Sequence, residues 1–189
     1  MAMTEPNHAL SQAFTSAQDR VFAKIQYALL HLDELRAHRD QGDAFDRAHE
    51  EALLFHLDGA VDAYFQLVNA GQGLGLPIAS VSRRSIRRRL DRRRVQCEGF
   101  SRLVSTLDDE SSWLNSMREF RNHATHRSSP SRNYYFGGPK HQKVEYVHPR
   151  TGDLMEVDRL QLFASWIMQA TDFFTEITDT LRRECGRRL

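Results

Sequence analysis

Long apolar runs are missing from this chain. The longest in its first helical stretch is Ala28-Leu29-Leu30, whereas a membrane-spanning helix needs ~20 consecutive apolar residues. Also missing is an apolar core behind a basic start, the mark of a secretory signal. Cysteine is scarce, and Cys97 and Cys185 form neither a metal-binding spacing nor a disulfide framework. These absences argue against a membrane or secreted protein and predict a reduced, cytoplasmic setting. No repeat of fixed period interrupts the chain. Its 189 residues suit one domain spanning 1–189, and a hydrophobic content of 40% argues against disorder.

Net charge is also small, at +1, but it is unevenly spread. Residues 1–75 carry 5 basic and 11 acidic side chains, a net of −6. Residues 76–150 carry 16 and 7, a net of +9, and residues 151–189 carry 5 and 7, a net of −2. A basic middle segment of this kind can serve an anionic partner.

What is present is helical periodicity. Phe14, Ala17, Val21, Ile25, Ala28, Leu32 and Leu35 recur at steps of three and four, predicting a helix from about Asn7 to Asp40. Gln41-Gly42-Asp43 breaks it, with Asp43 placed to cap a second helix that reaches about Asn69. Ala48, Ala52, Phe55, Gly59, Ala63 and Leu67 supply one stripe of that helix. The short turn between the two predicts an antiparallel helical hairpin. Residues 71–77 are a glycine-rich linker; no strand precedes them, so a phosphate-cradling loop is disfavoured. A third helix starts at Ser82 and is interrupted by Gly99 and the polar stretch near Asp108. A fourth begins at Asp108 or Asp109, carries Trp113, Leu114, Met117 and Phe120, and ends near Arg127. Residues 128–157 read as loop and a small β-hairpin, Val144–Val147 with Leu154–Val157 around Arg150-Thr151-Gly152-Asp153. Asp158 then caps a last helix, with Gln161 at capping-box spacing and Val157 and Leu162 as a hydrophobic staple. The expected fold is all-α: four or five helices with a β-hairpin inserted before the last.

The sharpest motif is Arg121-Asn122-His123-Ala124-Thr125-His126, at the end of the fourth helix. The chain here resembles the HEPN superfamily, compact helical bundles marked by an arginine, four to six residues, and a histidine. In this sequence the pattern runs from Arg121 to His126, with a polar residue, Asn122, directly after the arginine. Residues 53–68, Leu-Leu-Phe-His-Leu-Asp-Gly-Ala-Val-Asp-Ala-Tyr-Phe-Gln-Leu-Val, also look like the second helix of bacterial HEPN proteins. The resemblance implies a HEPN-like bundle and a metal-independent endoribonuclease of a toxin–antitoxin or defence system. It also implies a homodimer with a composite site, an RNA substrate, and an antitoxin or other protein partner. Neither cofactor nor metal is implied. Cleavage without metal needs a group to accept the 2′-hydroxyl proton and a cation on the phosphorane oxygens. Carried over, His126 is the general base or acid, Arg121 the transition-state clamp and Asn122 a positioning residue. Arg118 to His123 has the same spacing, but Glu119 follows Arg118, so the Arg121 register is preferred. Family toxins silenced by tyrosine AMPylation carry a tyrosine two places after the histidine; here Ser128 stands there. Equally open is a non-catalytic HEPN-like domain that binds nucleotide, RNA or protein, because the same side chains can cap a helix end.

A second feature is the arginine run: Arg83, Arg84, Arg87, Arg88, Arg89, Arg92, Arg93 and Arg94. Such a helix can track a phosphate backbone, or it can be a solvated face paired with the acids of residues 1–75. Tyr134, Tyr135 and Phe136 lie near the basic loop and suit either base stacking or hairpin packing, the latter preferred. His31 and His38, like His49 and His56, stand seven apart on one helix face. With no third ligand in sequence, no zinc site is expected.

Overall fold

The computed structural model describes the backbone of residues 5–38, 42–126, 131–132, 143–147 and 154–186. Side chains are described for residues 12–38, 42, 44–122 and 158–186. Tyr134, Tyr135, Phe136, Ser128 and the 150–153 turn lie outside the described residues, as do the side chains of His123 and His126.

The chain is mainly helical. Helices α1 (Glu5–Ala37), α2 (Asp43–Gly71), α3 (Arg83–Arg93), α4 (Glu98–Asp108), α5 (Trp113–His126) and α6 (Arg159–Gly186) account for most of it. Strands β1 (Ser131–Arg132), β2 (Lys143–Val147) and β3 (Leu154–Asp158) form an antiparallel sheet in the order β1-β2-β3. Val144 pairs with Val157, and Val147 with Leu154.

Among the described residues six α-helices stand where four or five were expected. Residues 82–108 make two of them, because the chain turns at Arg94. That residue sits in the left-handed region, φ 54, and its N–H closes α3 on the carbonyls of Asp91 and Leu90. Gly99 is not a breaker; it lies buried inside α4, where a Cβ would meet the Tyr64 hydroxyl and, at 2.9 Å, the Ile177 carbonyl. At the start of α2 the cap position belongs to Gly42, φ 92, not Asp43, which is the first helical residue. Ser112 rather than an aspartate caps α5, its Oγ accepting from the Asn115 N–H at 3.1 Å. Asp109 instead closes an Asx turn on Ser111 at 2.8 Å. At α6, Asp158 Oδ1 accepts from the Gln161 N–H at 3.0 Å.

Cross-contacts order the bundle. Phe14 meets Gly71, Lys24 meets Gly59 and His31 meets His49, so α1 and α2 run antiparallel. Arg159 meets Asp46, Tyr64 meets Ile177 and Gly71 meets Cys185, so α6 runs parallel to α2. The Tyr64 hydroxyl donates to the Ile177 carbonyl at 2.9 Å, satisfying a buried polar group in the core. One apolar cluster takes side chains from all six helices, including Leu32, Leu57, Ile86, Leu103, Leu114, Phe163 and Phe174.

The expected stripe of α2 is buried only in part, at Ala63 and Leu67. Leu53, Leu54, Leu57, Val61, Tyr64 and Val68 are enclosed, while Phe55 is 55% exposed and Ala48 is exposed. A helix packed on several sides buries more than one stripe, so spacing alone does not fix its phase.

Candidate functional site

Helix α5 buries Leu114, Met117 and Phe120 in the core. Its neighbouring face turns Arg118 and Arg121, three residues apart, towards α2. There both guanidinium groups converge on one carboxylate: Asp58 Oδ1 accepts from Arg118 Nε at 2.7 Å, and Asp58 Oδ2 from Arg121 Nη1 at 2.5 Å. Asp58 is only 14% exposed, against 31% for Arg121, so the inner end of this bridge is shielded and the outer face of Arg121 is not. Asn122 is exposed beside it.

Arg121 also borders a surface cleft of about 430 Å³ between α1 and α2. Arg20, Lys24 and Tyr27 line it from α1, and Phe55, Asp58 and Asp62 from α2. Lys24 lies across Gly59, where a Cβ would stand 3.3 Å from its Cδ, and its Nζ is 5.4 Å from the Phe55 ring centre. Gly59 therefore makes room for a lysine stem rather than for a neighbouring helix backbone. Asp62, one turn beyond Asp58, has its carboxyl pushed above the usual range, by burial first and then by the Asp58 charge; Arg118 and Arg121 oppose this. The cleft thus combines three cations, two carboxylates and two exposed rings, Tyr27 and Phe55.

His126 ends α5, five residues after Arg121. On an α-helix that separation is roughly 7.5 Å along the axis and ~140° around it. Arg118 and His123 stand in the same relation. Geometry alone does not choose between the two registers, since both arginines bind one aspartate.

The arginine run divides in two. Arg83 forks onto Asp108 with both terminal nitrogens, which holds the Asp108 carboxyl below its ordinary range. Arg93 donates to the carbonyls of Gly73 at 2.7 Å and Gln72 at 3.4 Å, tying α3 to the glycine linker. These partners are not the acids of residues 1–75. Arg84, Arg87, Arg88, Arg92 and Arg94 are exposed and Arg89 half-buried, and none of the six forms an ion pair among the described residues.

Sequence reasoning did not anticipate Asp58, Arg20, Lys24 or Asp62 as site residues, although two of them fall in the quoted 53–68 segment. A polar residue inside an otherwise apolar helical run was the available signal. It also missed the meeting of His31, His49 and His56 across the α1–α2 interface. No family model, characterised protein or solved structure matches the chain. No described helix is long and apolar enough to cross a membrane.

Proposed function

We propose that this chain is a HEPN-like, metal-independent endoribonuclease that works as a homodimer. The observation carrying this reading is the Asp58 bridge, which holds Arg118 and Arg121 of α5 against α2, with Arg121 at the edge of the cleft between α1 and α2. In the proposed step His126 takes the 2′-hydroxyl proton, the 2′-oxygen attacks the adjacent phosphorus, and the 5′-oxygen leaves as it gains a proton from water. Arg121 neutralises the charge on the non-bridging oxygens. The products are a 2′,3′-cyclic phosphate and a 5′-hydroxyl. The resemblance implies a composite site, in which a second copy of α5 supplies the complementary pair. Asn122, exposed beside Arg121, takes the positioning role that the resemblance assigns it. The exposed arginines of α3 offer RNA a sequence-independent grip. The resemblance extends the proposal to a toxin–antitoxin or defence role, with an antitoxin or other protein as partner.

One observation favours a second reading. A motif arginine committed to a shielded aspartate also serves to fasten α5 to α2. On that account the chain is a non-catalytic HEPN-like domain that binds nucleotide, RNA or protein. Analysis of RNA ends separates the two. The nuclease reading predicts 2′,3′-cyclic phosphate termini in EDTA, whereas the binding reading predicts RNA that is retained but uncut.

A further inference from the structure

The ends of α1 and α2 nearest their connecting turn carry a cluster that the nuclease reading does not use. His31 on α1 and His49 on α2 face each other with Nδ1 to Nδ1 at 3.1 Å, ring centres 5.1 Å apart and planes inclined by 66°. His56 stacks on His31 at 5.4 Å with planes 12° apart. Phe45 packs on His49 at 4.3 Å, and Tyr27 on His56 at 5.2 Å. Both facing rings are therefore fixed in orientation by aromatic neighbours.

We propose that His31 and His49 form a two-histidine site for a divalent metal of the imidazole-binding class, zinc above all, clamping α1 to α2. A zinc ion bonds imidazole nitrogen at about 2.0–2.1 Å, so two nitrogens 3.1 Å apart subtend roughly 100° at the metal, near the tetrahedral angle. Two neutral rings can otherwise share a single Nδ1 hydrogen along this vector. Metal binding moves that hydrogen to the outer nitrogen of its ring and leaves both rings neutral, so no further proton has to be removed.

Burial first, then His49, lowers the affinity of His31 for a proton, with Glu34 opposing. Burial, Lys24 and His31 do the same for His56. From α1 the charged neighbours are thus Lys24 and Glu34, and Glu34 also pairs with His38 at 3.0 Å. From α2 the titratable neighbours are His49 and His56. No third histidine, cysteine or carboxylate completes a set among the described residues. The site therefore supplies two protein ligands and leaves the other positions to water. Buried His56 Nδ1, in the same cluster, has no hydrogen-bond partner among the described residues.

The test is calorimetric titration of the tag-free full chain with zinc chloride at pH 7.5, alongside thermal melting. One zinc per chain and a rise in Tm are expected. His31→Gln and His49→Gln should each weaken binding by at least ~10-fold, while His38→Gln should bind like the wild type. Copper(II) electron paramagnetic resonance of the wild type should show two imidazole nitrogens, a readout that needs no variant to fold. Absence of stoichiometric zinc binding, unchanged affinity in both variants, or a copper spectrum without two nitrogens would overturn the proposal. RNA cleavage in EDTA is untouched by any of these outcomes, so this proposal and the nuclease reading fail separately.

Discussion

Asp58 and Arg121 are joined through Oδ2 and Nη1 at 2.5 Å, and the same carboxylate takes Arg118 on its other oxygen. One shielded side chain on α2 therefore sets the direction of both candidate motif arginines. Asp58→Asn keeps the shape but removes the charge that holds them. RNA cleavage should fall sharply while Tm shifts little, since partly exposed pairs contribute only about 0.2–1 kcal/mol each. Circular dichroism melting beside a cleavage assay checks both halves. Wild-type cleavage by a folded Asp58→Asn protein would remove its positioning role.

The exposed arginines of α3 make a second expectation quantitative. Arg84, Arg88 and Arg92 repeat every four residues and so share one exposed face. Each phosphate contact contributes ~0.7 to the slope of log affinity against log salt for a single strand, so replacing all three by Gln should flatten it by roughly 2. Arg83→Gln should act otherwise: its partner is Asp108, and its loss should show in thermal melting more than in salt dependence. A salt titration unchanged in the triple variant would strip α3 of the RNA-gripping role.

The general plan of the bundle was legible, and the reasons differ by element. The stripe from Ala17 to Leu35 sets α1 directly, because that helix buries one face. Helix α2 lies between several neighbours, so its spacing misplaced Phe55 on the inside. The break at Arg94 was hidden because a left-handed arginine carries no composition signal, whereas Gly99 advertised a break and instead provides a close helix crossing. Of the site, Arg121 was readable as a motif. Asp58, Lys24 and the His31–His49 pair were not, since the register between two helices is set by packing and is not written along either one.

A third expectation concerns the start of α6. Arg159 is 3% exposed and reaches Asp46 at 2.9 Å and Glu50 at 2.5 Å. Burial alone would weaken its hold on a proton, but the charges of Glu50 and Asp46 prevail and raise it. Arg159→Ala removes the buried cation that Asp46 and Glu50 share and should cost about 3–5 kcal/mol in chemical denaturation. Replacing Arg159, Asp46 and Glu50 together by apolar residues of similar volume should recover most of that loss. A loss under about 1 kcal/mol in the single variant would show that the triad contributes little.

The histidine cluster should make stability depend on pH. His31 and His56 bind protons less readily when folded than their ordinary value of 6.5. Below about pH 6.5 the unfolded chain then takes up more protons than the folded one. The contribution of these two groups is complete above that pH and is lost as pH falls towards their folded values. Denaturation at pH 7.5, 6.5 and 5.5, in EDTA to remove metal, should show falling stability, and His56→Gln should lessen the fall. An identical pH profile in that variant would place the sensitivity elsewhere.

The most direct measurement is the single-turnover rate of RNA cleavage in EDTA by wild type, Arg121→Ala, His126→Ala and His123→Ala. The account predicts cleavage by the wild type. It predicts rate losses on the order of 10²–10⁴ for His126→Ala, the range typical of a general acid or base, and a large loss for Arg121→Ala. His123→Ala should be the mildest of the three. A greater loss in His123→Ala than in His126→Ala would move the site to Arg118 and His123. RNA left intact by the wild type in EDTA, or cut at the wild-type rate by both Arg121→Ala and His126→Ala, would contradict the nuclease reading.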